Sequence, residues 1–168
     1  MISLGFKSAG YKVLYANEFD KNIAASYKKN HFETEVDTRN IADIDLNKTF
    51  SKFRKKVNIV IGGPPCQGFS QKGSRKGLKD DRNYLFKSFV GVIQIIKPNF
   101  FLMENVPNIM TLNGGYFLKE IEVLFNQLGY KLSYDTLIAS DYNVPQNRKR
   151  AFILGSKENV NFKFPQKK

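Results

Sequence analysis

The chain has 168 residues, of which 42% are hydrophobic and 25% charged, the balance of a single globular domain with a real core and not of a disordered tail. Lys, Asn or Asp interrupts every apolar run before the roughly 20 residues of a membrane span, and the N-terminus lacks the basic and apolar regions of a signal peptide. One cysteine and one histidine exclude an internal disulfide and a Cys- or His-rich metal site, which leaves a cytoplasmic, reducing setting, with no membrane or metal partner, as the expectation.

Lys and Arg number 27 against 15 Asp and Glu, a formal net charge of +12. Such a surplus favours a polyanionic partner, nucleic acid foremost. It gathers in Lys52-Phe53-Arg54-Lys55-Lys56, between Lys72 and Lys79, in Arg148-Lys149-Arg150 and at Lys167-Lys168. A solvated lysine-rich surface is the alternative account of the same charge.

In chain order, residues 2–9 read as a helix stopped by Gly10, the usual left-handed cap residue. Residues 11–16 read as a strand, after which Asp20 caps a helix running through Tyr27. Asp45 caps a short helix toward Phe53. A second strand over 57–61 stops abruptly at Gly62-Gly63-Pro64-Pro65. The pattern over 84–96 is helical and ends before Pro98. A buried-type strand over 100–103 is followed by a helix over 115–128 with Gly129 after it. Strands over 130–138 and 151–154 complete the set. Alternation of strands and helices predicts an α/β sheet, largely parallel and covered on both faces, with the last two strands as an antiparallel edge pair. In such sheets ligands bind beyond the carboxyl ends of the strands.

Three segments sit where that rule puts function. Gly62-Gly63-Pro64-Pro65-Cys66-Gln67-Gly68-Phe69-Ser70 follows one strand, Glu104-Asn105-Val106 follows another, and Gln146-Asn147-Arg148-Lys149-Arg150 precedes the last. A thiol, a carboxyl and two guanidiniums are thereby expected on one rim. Nearby Arg charge favours the thiolate, the reactive form of Cys66. A lone cysteine is more often a small core residue, but a Gly-Gly-Pro-Pro loop suits a rigidly presented nucleophile better than a packed interior. Glu104 could otherwise be a helix cap, and the two arginines a solvated edge. His31, the only histidine, reads as a solvated residue after a helix.

These segments resemble, in order and spacing, the DNA (cytosine-5) methyltransferases of bacterial restriction–modification systems. Gly63-Pro64-Pro65-Cys66-Gln67-Gly68-Phe69-Ser70 is similar to the family's catalytic loop, Glu104-Asn105-Val106 to its acid motif, and Gln146 to Arg150 to its Gln-x-Arg-x-Arg motif. Asn17-Glu18-Phe19-Asp20 is similar to its cofactor-ribose motif. The resemblance implies a Rossmann-like sheet dependent on S-adenosylmethionine (AdoMet), acting on double-stranded DNA with the target cytosine flipped out. It implies that the Cys66 thiolate adds to cytosine C6 and that a protonated Glu104 engages N3. Arg150 would contact O2, with Arg148 supporting the site. For the cofactor it implies Glu18 on the ribose hydroxyls, Phe19 stacked on adenine, Asp37 and Thr38 at the adenine edge, and Leu85 packed against it. Residues 71–83 resemble the loop that closes on DNA, with Lys72, Arg75, Lys76, Lys79 and Arg82 available to phosphates; a flexible basic surface loop is the alternative. Arg82-Asn83 departs from the Arg-Gly usual there.

Two family features have no counterpart in these residues: a first strand with its Gly-rich turn, central in the family's sheet, and a target-recognition domain. The expectation is therefore an incomplete sheet over 1–168, a partial catalytic domain that is a fragment or one half of a split enzyme, with a complementing chain as a candidate partner. A tRNA-cytosine methyltransferase, an inactive basic nucleic-acid-binding module and, more remotely, a cysteine hydrolase are the alternatives.

Overall fold

The computed structural model describes residues 2–65, 84–158, 160 and 162–168. Helix α1 (Ile2–Ser8) opens the chain, and Gly10, at φ 87°, ends it in the left-handed conformation its lack of a side chain allows. Strand β1 (Tyr15–Asn17) is shorter than expected and lies at the carboxyl end of the predicted stretch. Asp20 then caps α2 (Lys21–Asn30) by accepting hydrogen bonds from the backbone N–H groups of Asn22 and Ile23. Strand β2 (Glu35–Asp37), which the pattern did not announce, runs parallel to β1 with Asn17 opposite Asp37. Asp45 caps α3 (Leu46–Phe50), and a 3-10 turn extends that helix to Phe53.

Strand β3 (Ile59–Gly62) leads toward the Pro64-Pro65 loop, and α4 (Tyr84–Ile96) follows with the predicted bounds. Helix α4 is apolar on two sides. Phe86, Val90 and Ile93 enter the main core, while Val92 and Ile96 join Phe50 and Phe53 in a second cluster. Strand β4 (Phe100–Asn105), helix α5 (Tyr116–Gln127), β5 (Lys131–Ile138) and β6 (Lys149–Ser156) complete the elements.

The strands form a β1-β2 pair and a four-stranded sheet ordered β3-β4-β6-β5. β3 and β4 are parallel, whereas β6 is antiparallel to both β4 and β5. The late antiparallel pair is thus present, with β5 at one edge of this sheet, β6 inside it and β3 at the other edge. Between β1 and β3 no ladder joins the two sheets among the described residues. Tyr15 of β1 nevertheless packs edge-on to Phe50 at 5.2 Å, in the cluster that also receives Val57 and Val60. No helix among the described residues is long and apolar enough to cross a membrane.

His31 corrects the sequence reading. It is 2% exposed and stacks on Tyr27 at 4.3 Å, because the chain turns inward after α2 and Thr34 binds the Val13 carbonyl beside it. A polar residue next to a helix end was read as solvated; the turn buries it.

Tyr130 ties the two ends of the main core together. Its ring lies edge-on to Phe101 at 5.3 Å and its hydroxyl donates to the Pro98 carbonyl at 2.7 Å. Burial holds its ionisation well above the ordinary tyrosine range. The neutral form is the one the fold accommodates, so this stabilisation is full below pH 10 and is lost as pH rises further. Tyr130→Phe is expected to lower stability by about 1 kcal/mol at neutral pH and to flatten the decline above pH 10, measured by urea titration at both pH values.

Candidate active site

The carboxyl end of β4 carries Glu104 and Asn105 on opposite faces of the sheet, since successive strand side chains alternate. Asn105 is buried on the core side and its amide donates to the Pro64 carbonyl at 2.9 Å. That bond ties the loop leaving β3 to the tip of β4. Sequence reasoning singled out the Glu104-Asn105-Val106 segment without finding this task for Asn105. No local signal could have found it, because its partner is 41 residues away in the chain.

Glu104 takes the other face. Register places it opposite Phe152 of β6, which makes Arg150 its diagonal neighbour on the same face. Glu104 Oε1 lies 2.9 Å from Arg150 Nε and 3.7 Å from Arg148 Nη2. The Glu104 side chain is 21% exposed and that of Arg150 25%, whereas that of Arg148 is half-exposed. Arg150 is further fixed by donating from Nη1 to the Lys149 carbonyl at 2.8 Å. The closer guanidinium is therefore sheltered and braced, and the farther one reaches in from solvent.

Gly63 completes this corner. A Cβ there would stand 3.2 Å from Glu104 Oε2, so the bare backbone lets the loop pass directly beside the carboxylate. Pro64 is buried and Pro65 exposed as the chain heads to position 66. Cys66 and the basic loop with Lys72, Arg75, Lys76, Lys79 and Arg82 lie outside the described residues. Of the expected catalytic set, Glu104 in β4, Arg150 in β6 and Arg148 just before β6 come together, because the two strands are separated in sequence and adjacent in space.

A second group sits at the carboxyl ends of β1 and β2. Glu18 donates its backbone N–H to the Asp37 carbonyl at 3.0 Å, and one of its carboxylate oxygens accepts the Asp20 N–H. Phe19 follows with a 67% exposed ring, and Thr38 is also exposed. Leu85 is half-buried in the first turn of α4. Asp37 is bound from several sides. Tyr15 donates its hydroxyl at 2.6 Å, and Arg39 donates its backbone N–H at 2.9 Å and its guanidinium at 2.6–3.1 Å. The Arg39 guanidinium holds the Asp37 carboxyl far below the usual carboxylate range, while burial and the Asp37 bond push the Tyr15 hydroxyl well above its ordinary value. Tyr15 and Arg39 were not foreseen as part of this corner.

The chemistry of this donor set suits the adenosine end of a nucleoside cofactor, since it offers an uncovered aromatic face, a carboxylate for paired hydroxyls and a second carboxylate for an amine. No group of three His, Cys, Asp or Glu side chains able to hold a metal occurs among the described residues.

Comparison with known proteins gives these corners a setting. The family described as C-5 cytosine-specific DNA methylase matches residues 1–168, the whole chain. The Type II methyltransferase M1.HphI of Haemophilus parahaemolyticus is 40% identical over 169 residues, covering 98% of this chain and 45% of that protein. The Type II methyltransferase M.FnuDI of Fusobacterium nucleatum is 36% identical over 98% of this chain and 47% of its own length. The chain thus spans about half the length of these curated relatives. In fold, the Dnmt2 methyltransferase of S. pombe superposes with a TM-score of 0.71 at 23% identity, over 97% of this chain and 48% of that one. With every residue of the chain inside the family match, the protein belongs to the C-5 cytosine-specific DNA methylases.

Proposed function

We propose that the chain is the catalytic portion, over residues 1–168, of an AdoMet-dependent DNA (cytosine-5) methyltransferase of the restriction–modification kind. The observation that carries the reading is the Glu104–Arg150–Arg148 corner beside Gly63, which stands three residues before Cys66 in the chain. Cytosine C5 is a weak nucleophile until a bond forms at C6. The Cys66 thiolate makes that bond with a base flipped out of the duplex, and negative charge develops along the ring's N3–O2 edge.

Arg150, a donor only, is matched to O2, an acceptor. Glu104 faces N3 and holds the proton that N3 gains as the ring accepts the sulfur. Arg148 adds positive charge from the solvent side. When bound, AdoMet supplies the methyl group that C5 takes. Loss of the C5 proton then re-forms the C5–C6 double bond and expels the Cys66 sulfur. Glu18 and Phe19 hold the ribose and adenine, with Asp37, Thr38 and Leu85 around the adenine ring. The basic surplus outside this corner, the exposed Lys149 included, meets the phosphates. Base-specific readout falls to a target-recognition segment supplied by the same polypeptide or by a complementing chain.

A duplex carrying 5-fluorocytosine tests the reading, because fluorine at C5 blocks the final elimination. Incubated with AdoMet and that duplex, with and without a chain supplying a target-recognition domain, the protein is expected to give a denaturant-resistant adduct. The adduct should vanish in Cys66→Ala. Absence of any adduct in both arms overturns the proposal, and an adduct formed on tRNA but not on DNA would move the substrate to RNA.

A further inference from the structure

We infer that the Arg39 guanidinium is a displaceable cap that occupies, in the ligand-free protein, the acceptor positions of Asp37 needed by the adenine amine, and so sets the selectivity for adenine. This rests on the reading of Asp37 as a cofactor contact. A carboxylate offers about four lone-pair sites. Here Oδ2 receives the Tyr15 hydroxyl at 2.6 Å and Arg39 Nη2 at 2.6 Å, while Oδ1 receives the Arg39 N–H at 2.9 Å and Arg39 Nε at 3.0 Å. All four are taken, so an incoming amine must replace a donor already in place.

Only one of the donors is free to leave. Tyr15 is clamped between Phe50 and Phe53 in the second cluster. The Arg39 backbone is held because the Asn17 amide donates to the Arg39 carbonyl at 2.9 Å and to the Asp37 carbonyl at 3.2 Å. The Asp37 side chain is 10% exposed, whereas that of Arg39 is 62% exposed, with open solvent to swing into. Tyr15 and the Arg39 N–H thus fix the carboxylate from behind, and the guanidinium covers its outer side. Release of the guanidinium is offset in part by its hydration, since the Arg39 end of the pair is exposed, and in part by the amine that takes its place. A ligand whose ring bears a carbonyl in place of the amine presents an acceptor, not a donor, at that position and would leave the cap closed.

Titration calorimetry on the 168-residue chain with S-adenosylhomocysteine and with S-inosylhomocysteine separates these terms. Arg39→Gln is expected to bind the adenine ligand roughly two- to fivefold tighter than the wild type and to bind the inosine ligand no better. Wild-type affinity for the adenine ligand should rise as salt weakens the cap, and this trend should be absent in Arg39→Gln. Asp37→Asn should bind the adenine ligand more weakly. Unchanged or weaker binding by Arg39→Gln, with Asp37→Asn still impaired, overturns the cap and leaves the cofactor reading standing. Equal binding by Asp37→Asn and wild type, or no binding by any form, removes the cofactor reading and the cap with it.

Discussion

Gly155→Ala is expected to be among the most damaging single substitutions in the chain, lowering stability by about 3 kcal/mol. Gly155 lies inside β6, paired to Phe101 of β4 and Leu132 of β5, and a Cβ built there would sit 2.0 Å from Phe101 Cε1 and 2.4 Å from its Cζ. The ring cannot retreat. Phe101 is fully buried, with Phe125 at 4.2 Å, Tyr130 at 5.3 Å and Phe89 at 6.1 Å between ring centres. Relief must come from strand separation or from moving several aromatic rings at once, and a core packed at crystal-like density resists both. The usual penalty of a strand glycine, its unfolded-state entropy, is here the smaller effect. Gly5→Ala is the control, because it lies in α1 with nothing within 4 Å of the added methyl, and it should be neutral or stabilising by up to about 1 kcal/mol. Urea midpoints of the two variants check the contrast. Combining Gly155→Ala with Phe101→Leu should recover part of the loss, the signature of a direct steric coupling.

That pairing illustrates what the chain's local patterns could and could not reveal. Asp20 and Asp45 are caps whose function is spelled within three residues, and both cap the helices expected of them. The apolar spacing over 84–96 contains the whole of α4, and its stop follows from Pro98. β2 was missed because Glu35-Val36-Asp37 is three residues long with charges at both ends, and its strand character comes from pairing with β1. Arg39 was hidden for a different reason, since it stands only two residues from its partner. Its side chain looks like one more solvated cation until the turn after β2 brings it back onto Asp37. Clustering of Glu104 with Arg148 and Arg150 was expected from their positions at strand ends, and the pairing of β4 with β6 accounts for it. The bond from Asn105 to Pro64 had no local signature at all, since it joins the ends of two strands through one amide.

Glu104→Gln and Arg150→Ala should each slow formation of the 5-fluorocytosine adduct by roughly 10²- to 10⁴-fold, the range associated with a positioned acid or a charge-stabilising donor. Gln keeps the size of the side chain beside Gly63 but cannot pass a proton to N3, so binding of the duplex should survive while the covalent step fails. Alanine at 150 removes the donor opposite O2 and leaves the 21%-exposed Glu104, among the described residues, with the more distant Arg148 at 3.7 Å as its cation. Arg148→Ala should be milder, about tenfold or less, because a half-exposed guanidinium acts through solvent-screened charge. A rank order with Arg148 as the most sensitive position would contradict the assignment of O2 to Arg150. Gly63→Ala probes the same corner from the loop side. The added methyl would meet Glu104 Oε2 at 3.2 Å and push the carboxylate by a few tenths of an ångström. Loss of adduct formation in Gly63→Ala with little change in stability would show that the position of the Glu104 oxygens, and not merely their charge, limits the step.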